Sequence, residues 1–342
     1  MAYNSKVVHK VLSDFENKYK TAAATAEKRK QELYKKIPEL WDIDGKLSET
    51  YVELAGIMLN SPGDSADVKI GDIKRKNQDL LKKRKTLLER KGYAANYTEP
   101  LYECQVCEDS GYINRGEAMC DCLKKALAAE SINYSGLGRT IKDQTFENFN
   151  LNYYDRKKSP DKLIPESPYK YMKSIYEDCK KFAADFGGKY FGDSNSEEIK
   201  KNLLFMGTTG VGKTHLSSAI AYEVIKKGFD VFYDSAQSIL YSFEKERFSR
   251  FGTFDPDIIE RYMTCDLLII DDLGTEYSGS MSVSSLYNLI NMRLLENKSM
   301  IISTNLTGEE MQKRYDDRIV SRMFGMFTVL NFIGEDIRFK KI

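Results

Sequence analysis

Between Lys6 and about Lys36 the apolar residues Val7, Val8, Val11, Leu12, Phe15 and Tyr19 recur at helical spacing among charged neighbours, which predicts an amphipathic helix. A second apolar series, Leu33, Ile37, Leu40, Leu47, Tyr51, Leu54 and Met58, is interrupted by Pro38 and Gly45, so it predicts two helices or a kinked one. Ser61, Pro62, Gly63 and Asp64 form the turn expected to end it. A third helix is predicted from about Lys69 to Lys91, with Ile73, Leu80, Leu81, Leu87 and Leu88 on a stripe about a heptad apart.

The pattern changes further along. From Ser135 to about Pro168 the chain is rich in Gly, Asn, Asp, Lys and Pro, with Phe146 and Phe149 as aromatic anchors, and reads as a linker lying across the next domain. Tyr169 to Phe186 predicts a helix stopped by Gly187 and Gly188. Short apolar runs then alternate with helical ones: strands at residues 202–206, 231–233, 266–272 and 300–305, and helices at residues 214–227, 235–248 and 284–298. That alternation predicts an α/β domain with a parallel sheet.

A chain of 342 residues has room for one large core and a smaller unit. Lys and Arg total 52 against 51 Asp and Glu, so no global field draws the protein to nucleic acid or membrane. The third predicted helix is a local exception, with ten basic residues against three acids, and reads as a solvated face or coiled-coil flank more readily than as a nucleic-acid face. Nothing in the first hundred residues sets a nucleophile beside a base, so they are read as a docking module. The opening residues lack a long apolar segment, and no run of about 18 apolar residues occurs anywhere, so a cytoplasmic location without membrane contact is expected.

Four of the six cysteines are clustered: Cys104 and Cys107, twelve further residues, then Cys120 and Cys122. The spacing is close to that of a four-thiolate structural Zn2+ site, with an iron–sulfur cluster or free thiols as the alternatives. Asp109, Ser110 and Gly111 supply turn residues after the first pair, and Asn114, Arg115 and Gly116 a second turn in the intervening hairpin. Cys179 and Cys265 lie outside the cluster and read as ordinary buried thiols.

The strongest chemical signal is Gly207, Thr208, Thr209, Gly210, Val211, Gly212, Lys213 and Thr214, a complete G-x-x-x-x-G-K-T phosphate loop between a strand and a helix. Its glycines let backbone N–H groups turn towards a phosphate chain, and the helix N-terminus faces the same anion. Lys213 is expected on a surface loop, without core contacts, to neutralise the β- and γ-phosphates of ATP, and Thr214 to hold Mg2+. The apolar strand ending in Asp271 and Asp272 is a Walker B pattern, in which Asp271 would hold Mg2+ through water and Asp272 would polarise the attacking water. Asn305, at the C-terminal edge of a strand, is placed to help orient that water, and Arg318 and Arg322 stand four apart on one helix face, suited to reading a neighbour's phosphate.

Taken in this order, the motifs resemble the AAA+ ATPase domain of the bacterial replicative helicase loaders of the DnaI/DnaC-like family, with the IstB-like transposition helpers as near relatives. The cysteine unit after a helical segment is similar to the N-terminal zinc module of the DnaI-type loaders. The resemblance implies a helical N-terminal region for helicase docking (1–98), a four-cysteine zinc module (99–135), a linker (136–168) and an AAA+ ATPase domain (169–342). It makes Asn305 the sensor 1 residue, Arg322 the arginine finger, Arg318 its neighbour and Arg338 the candidate sensor 2. It also implies an ATPase that loads a DnaB-type helicase onto single-stranded DNA and self-associates through the AAA+ domain. The alternatives are an IstB-like ATPase helper of a transposase and a nucleotide-binding adaptor without significant turnover.

Overall fold

Pro38 lacks a backbone N–H, and it ends one helix by opening the next: α1 (Ser5–Lys36) stops before it, and α2 (Pro38–Asn60) starts at it, where that N–H would have no partner in any case. The computed structural model describes residues 3–60, 64–138, 143–157, 166–188, 191, 200–248, 256–276 and 280–340. Gly45 makes no break, because α2 runs straight through it. One interior glycine costs roughly 1 kcal/mol relative to Ala, and the buried Leu40, Leu47 and Thr50 around it hold the helix in place. The turn expected over Ser61, Pro62 and Gly63 lies outside the described residues, and α3 (Asp64–Arg90) begins at Asp64.

Residues Leu12–Leu123 form one compact unit. Its helices close over Leu33, Ile37, Leu40 and Leu88. Asp44 of α2 accepts from Arg84 of α3 at 2.7 Å and from Tyr34 at 2.9 Å, so the charge of this largely enclosed pair is satisfied on both sides. A two-stranded hairpin, β1 (Tyr112–Ile113) with β2 (Ala118–Met119), turns through Asn114, Arg115 and Gly116, all at positive φ, as the turn residues suggested. The helix after it, α4 (Asp121–Tyr134), has only Leu123 and Leu127 as fully buried leucines, too weak a stripe to stand out in the sequence.

The other unit comprises Met1–Val11 and Lys124–Ile342. After α5 (Pro168–Asp185) come β3 (Leu203–Met206), α6 (Lys213–Lys226), β4 (Val231–Ser235), α7 (Ala236–Phe248) and α8 (Pro256–Thr264). Then follow β5 (Leu267–Leu273), α9 (Ser280–Leu295), β6 (Ser299–Thr304), α10 (Gly308–Arg314), α11 (Asp317–Met326) and β7 (Thr328–Asn331). The five strands form one parallel sheet in the order β4-β5-β6-β3-β7.

Both faces of that sheet are covered, which is why its strands read as unbroken apolar runs. Leu203, Phe205, Leu267, Ile269 and Ile301 face a core with Ile175, Phe182, Leu216 and Ile220 of α5 and α6. The alternate residues Leu204, Leu268, Ile270, Met300 and Ile302 face a second core with Leu286, Leu289, Ile319 and Met323 of α9 and α11. The result is a three-layer α/β/α domain, as the alternation of strands and helices predicts. Among the described residues, no helix is long and apolar enough to cross a membrane.

Candidate functional site

The chain leaves β3 at Gly207, whose φ is 145° and where a Cβ would stand 2.3 Å from the Phe332 carbonyl oxygen, so only glycine fits. Gly212, at φ 97°, delivers the chain into α6, whose first residue is Lys213. The segment after β7 closes back on this loop: the Phe332 N–H reaches the Met206 carbonyl at 2.6 Å, and the Ile337 N–H reaches Gly210 at 3.0 Å.

Lys213 does not lie on a surface loop free of core contacts, as its position among glycines suggested. It is 5% exposed, held by the helix start and by hydrogen bonds to the carbonyls of Gly207 (2.5 Å) and Thr208 (2.7 Å) and to Asn305 Oδ1 (2.7 Å). Burial lowers the pKa of its ammonium from the usual lysine range, and the charges of Asp272 and Asp271 oppose that shift.

Asp271 is buried at the end of β5, and its carboxylate is fully engaged. It accepts from Thr214 Oγ1 at 3.0 Å and from the hydroxyls of Tyr233 and Ser303. Tyr233 and Ser303 were not anticipated as partners, although Ser303 lies two residues before Asn305 on the strand already singled out. Asp272 follows at φ 54°, a left-handed conformation that turns its side chain the other way, into the cavity. Its backbone N–H is held by Ser303 Oγ at 3.0 Å. Desolvation, then the charge of Asp271, raises the Asp272 pKa above the ordinary aspartate range.

These groups meet in one cavity of about 360 Å3, within the size range of small-molecule sites. Thr209, Gly210, Gly212, Lys213, Thr214, Asp272 and Asn305 line it, as does Arg338 from the returning C-terminal segment. Its other wall comes from residues read in sequence as a linker, among them Gln144, Phe149 and Tyr153. That segment is anchored by Phe146 packing edge-on against Tyr176 and by the Tyr154 hydroxyl, which donates to the Val211 carbonyl at 2.9 Å. Thr214 beside Asp271 offers hard oxygen donors of the kind Mg2+ prefers.

Arg318 and Arg322 do share one face of α11, and both guanidinium groups lie over the Tyr287 ring, at 5.1 and 4.8 Å. Arg322 also donates to Asn291 Oδ1 at 3.1 Å, and Arg318 pairs with Asp316. Neither lines the cavity that holds Lys213 and Asp272 of the same chain.

In the other unit the four cysteine sulfurs of Cys104, Cys107, Cys120 and Cys122 lie within 4.8 Å of one another. Cys104 and Cys120 are 3.8 Å apart and Cys107 and Cys122 3.3 Å, near the sulfur–sulfur spacing of about 3.8 Å that a tetrahedral site with Zn–S bonds of about 2.3 Å requires. The backbone N–H groups of Cys107 and Val106 lower the Cys104 thiol to about 7. Asp109 braces the first knuckle by accepting the N–H of Glu103 at 2.9 Å and of Cys104 at 2.8 Å. The donor set fits a closed zinc site. Cys179 and Cys265 are buried elsewhere, as expected.

Residues 194–340 match the family of IstB-like ATP binding proteins. An insertion sequence IS232 protein of Bacillus thuringiensis subsp. berliner, described as ATP-binding, is 27% identical over 148 residues, 42% of this chain and 58% of its own length. The replicative helicase loader DnaC of Escherichia coli K12 is 28% identical over 130 residues, 37% of this chain and 53% of its own. The chain thus spans little more than half the length of these curated relatives. The crystal structure of the DnaC helicase loader superposes with a TM-score of 0.42 at 22% identity, covering 55% of this chain and 98% of that one. By its phosphate loop and the match over residues 194–340, the C-terminal part of the chain is similar to the IstB-like ATP binding proteins and to DnaC.

Proposed function

We propose that this chain is an ATP-dependent loader that places a DnaB-type replicative helicase on single-stranded DNA at the start or restart of replication, in the cytoplasm. The observation that carries the reading is the pairing, in one chain, of a nucleotide cavity with a four-thiolate centre that follows a helical region. Residues 1–98 and the zinc module at 99–135 would grip the helicase, 136–168 would link, and 169–342 would bind and hydrolyse ATP. A transposase helper of the IstB type would share the ATPase core, and the IS232 relative supports that second reading. A helical, zinc-bearing N-terminal part argues for the loader.

In this reading the phosphate-loop N–H groups and Lys213 hold the phosphates. Thr214 and Asp271 would hold Mg2+, which withdraws charge from the phosphates when bound. Asp272 polarises the attacking water and Asn305 orients it. Arg322 of one subunit, with Arg318 beside it, completes the site of the next, which explains why neither arginine lines the cavity of its own chain. Arg338, which also lines the cavity, adds positive charge.

The test is co-sedimentation with the replicative helicase of the host, followed by transfer of that helicase to single-stranded DNA. Binding with ATP and release after hydrolysis is the expected result. A chain that ignores the helicase but binds a transposase supports the second reading, and one that binds ATP without turnover is an adaptor.

A further inference from the structure

The two longest helices after α1 carry opposite charge on their outer faces. On α2, Trp41, Gly45, Ser48, Val52 and Ala55 follow one another at intervals of four, three, four and three residues, so they line one face. All five are exposed, Trp41 at 63% and Val52 at 73%. The small residues Gly45 and Ser48 leave a notch between those two large side chains. Asp42, Glu49 and Glu53 edge the stripe on one side and form no ion pair among the described residues.

On α3, Lys74, Gln78, Leu81, Lys82 and Lys85 form a matching row, all exposed, with Leu81 as an apolar knob among the lysines at 48% exposure. Lys85 pairs with Glu89 of its own helix at 3.9 Å, a weak contact, and Lys74 and Lys82 pair with nothing among the described residues. The two rows also agree in length. Trp41 to Val52 and Lys74 to Lys85 are each eleven helical steps apart, about 16 Å at helical rise.

We infer that the α2 face takes the α3 face of a second copy of this chain. Leu81 enters the notch over Gly45 and Ser48, between Trp41 and Val52, while Lys74, Lys82 and Lys85 face Asp42, Glu49 and Glu53. Small residues let the helices approach closely, a tryptophan flanking the inserted side chain is a common anchor type, and the charges steer and register the pair. Because one chain carries both halves on different helices, the contact is head-to-tail and extends to a ring or an open chain. It is separate from association through the nucleotide cavity and does not rest on the loader reading.

Trp41 is the single tryptophan of the chain, so its emission reports this face alone. Acrylamide quenching of the full chain, without nucleotide, is measured over a range of protein concentrations. Trp41 becomes protected as concentration rises. The variant D42K/E49K/E53K and the reciprocal K74E/K82E/K85E each shift the midpoint at least about tenfold upward, and mixing the two restores protection, because each supplies the charge the other now needs. Leu81→Ser, a single surface change, weakens association in the same direction should a triple variant lose helix content by circular dichroism. Wild-type Trp41 equally quenched at every concentration overturns the proposal, as does a mixture that stays open. Protection that appears only when a helicase or another protein is added overturns the second copy as the occupant.

Discussion

The Lys213 ammonium donates to Asn305 Oδ1 at 2.7 Å, tying the end of the phosphate loop to the first residue beyond β6, 92 positions later. The contact exists because β6 lies directly beside β3 in the sheet, so the strand ends that hold the two residues are neighbours. In the proposed reading, sensing of the γ-phosphate by Asn305 and charge neutralisation by Lys213 would be linked by this one hydrogen bond.

Lys213→Met keeps the aliphatic stem of this buried side chain and removes the charge. ATP binding should weaken roughly 10- to 100-fold, the size of one lost charge-assisted hydrogen bond, while the unfolding midpoint stays near wild type. Titration calorimetry and thermal melts read the two separately, and full-strength ATP binding would remove Lys213 from the site.

Asp272→Asn should keep ATP binding and lose turnover. It also has a signature in stability. A carboxyl whose pKa is raised by burial contributes stability when protonated, and that contribution is lost as pH rises through its folded value. Asn is neutral throughout, so the variant should gain stability relative to wild type as pH increases from about 3 upward through the carboxylate range. Melts from acid to neutral pH that show a constant difference would contradict the assignment.

The four clustered thiols should bind one zinc ion per chain. Cys107→Ser, at a buried ligand position, should lose the metal and the order of the 112–119 hairpin, whose strands are too short to hold without it. ATP binding should persist, because the nucleotide cavity lies in the unit with its own two cores. Elemental analysis of purified protein with no metal would end this assignment.

Arg322→Ala should bind ATP normally and hydrolyse it roughly a thousandfold more slowly, the usual scale for an arginine that stabilises the transferring phosphoryl group. Mixed with Lys213→Met, which cannot bind ATP well yet keeps its own Arg322, it should recover activity. If mixed assemblies form and remain inactive, Arg322 does not act on a neighbour's site.

Arg293 is fully buried on α9, where its guanidinium donates to the carbonyls of Tyr262, Met263, Cys265 and Ser299 at 2.7 to 3.1 Å. It thereby caps the C-terminal end of α8 and fastens the start of β6. Arg293→Met strands those acceptors and should cost about 3 kcal/mol or more, read as a lower urea midpoint with an unchanged slope.

What could be read from the amino-acid sequence is what depends on neighbours along the chain. The phosphate loop needs glycines at fixed offsets, the Walker B strand needs an apolar run ending in acids, and the cysteine hairpin needs its turns, so each is written in consecutive residues. The parallel sheet followed from the alternation of strands and helices. Its order did not, since only packing on both faces decides that β6 separates β3 from β5 and so carries Asn305 to Lys213. Tertiary structure also decided that Lys213 is buried, because the segment after β7 folds back over a loop that looked exposed. The segment from Phe146 to Tyr154 reads as linker, with little helical or strand periodicity, yet its Phe149 and Tyr153 wall the cavity: the anchoring of Phe146 and Tyr154 comes from partners, Tyr176 and Val211, which no local pattern reveals. Gly45 shows the reverse, a local signal for a break that buried neighbours on α2 override.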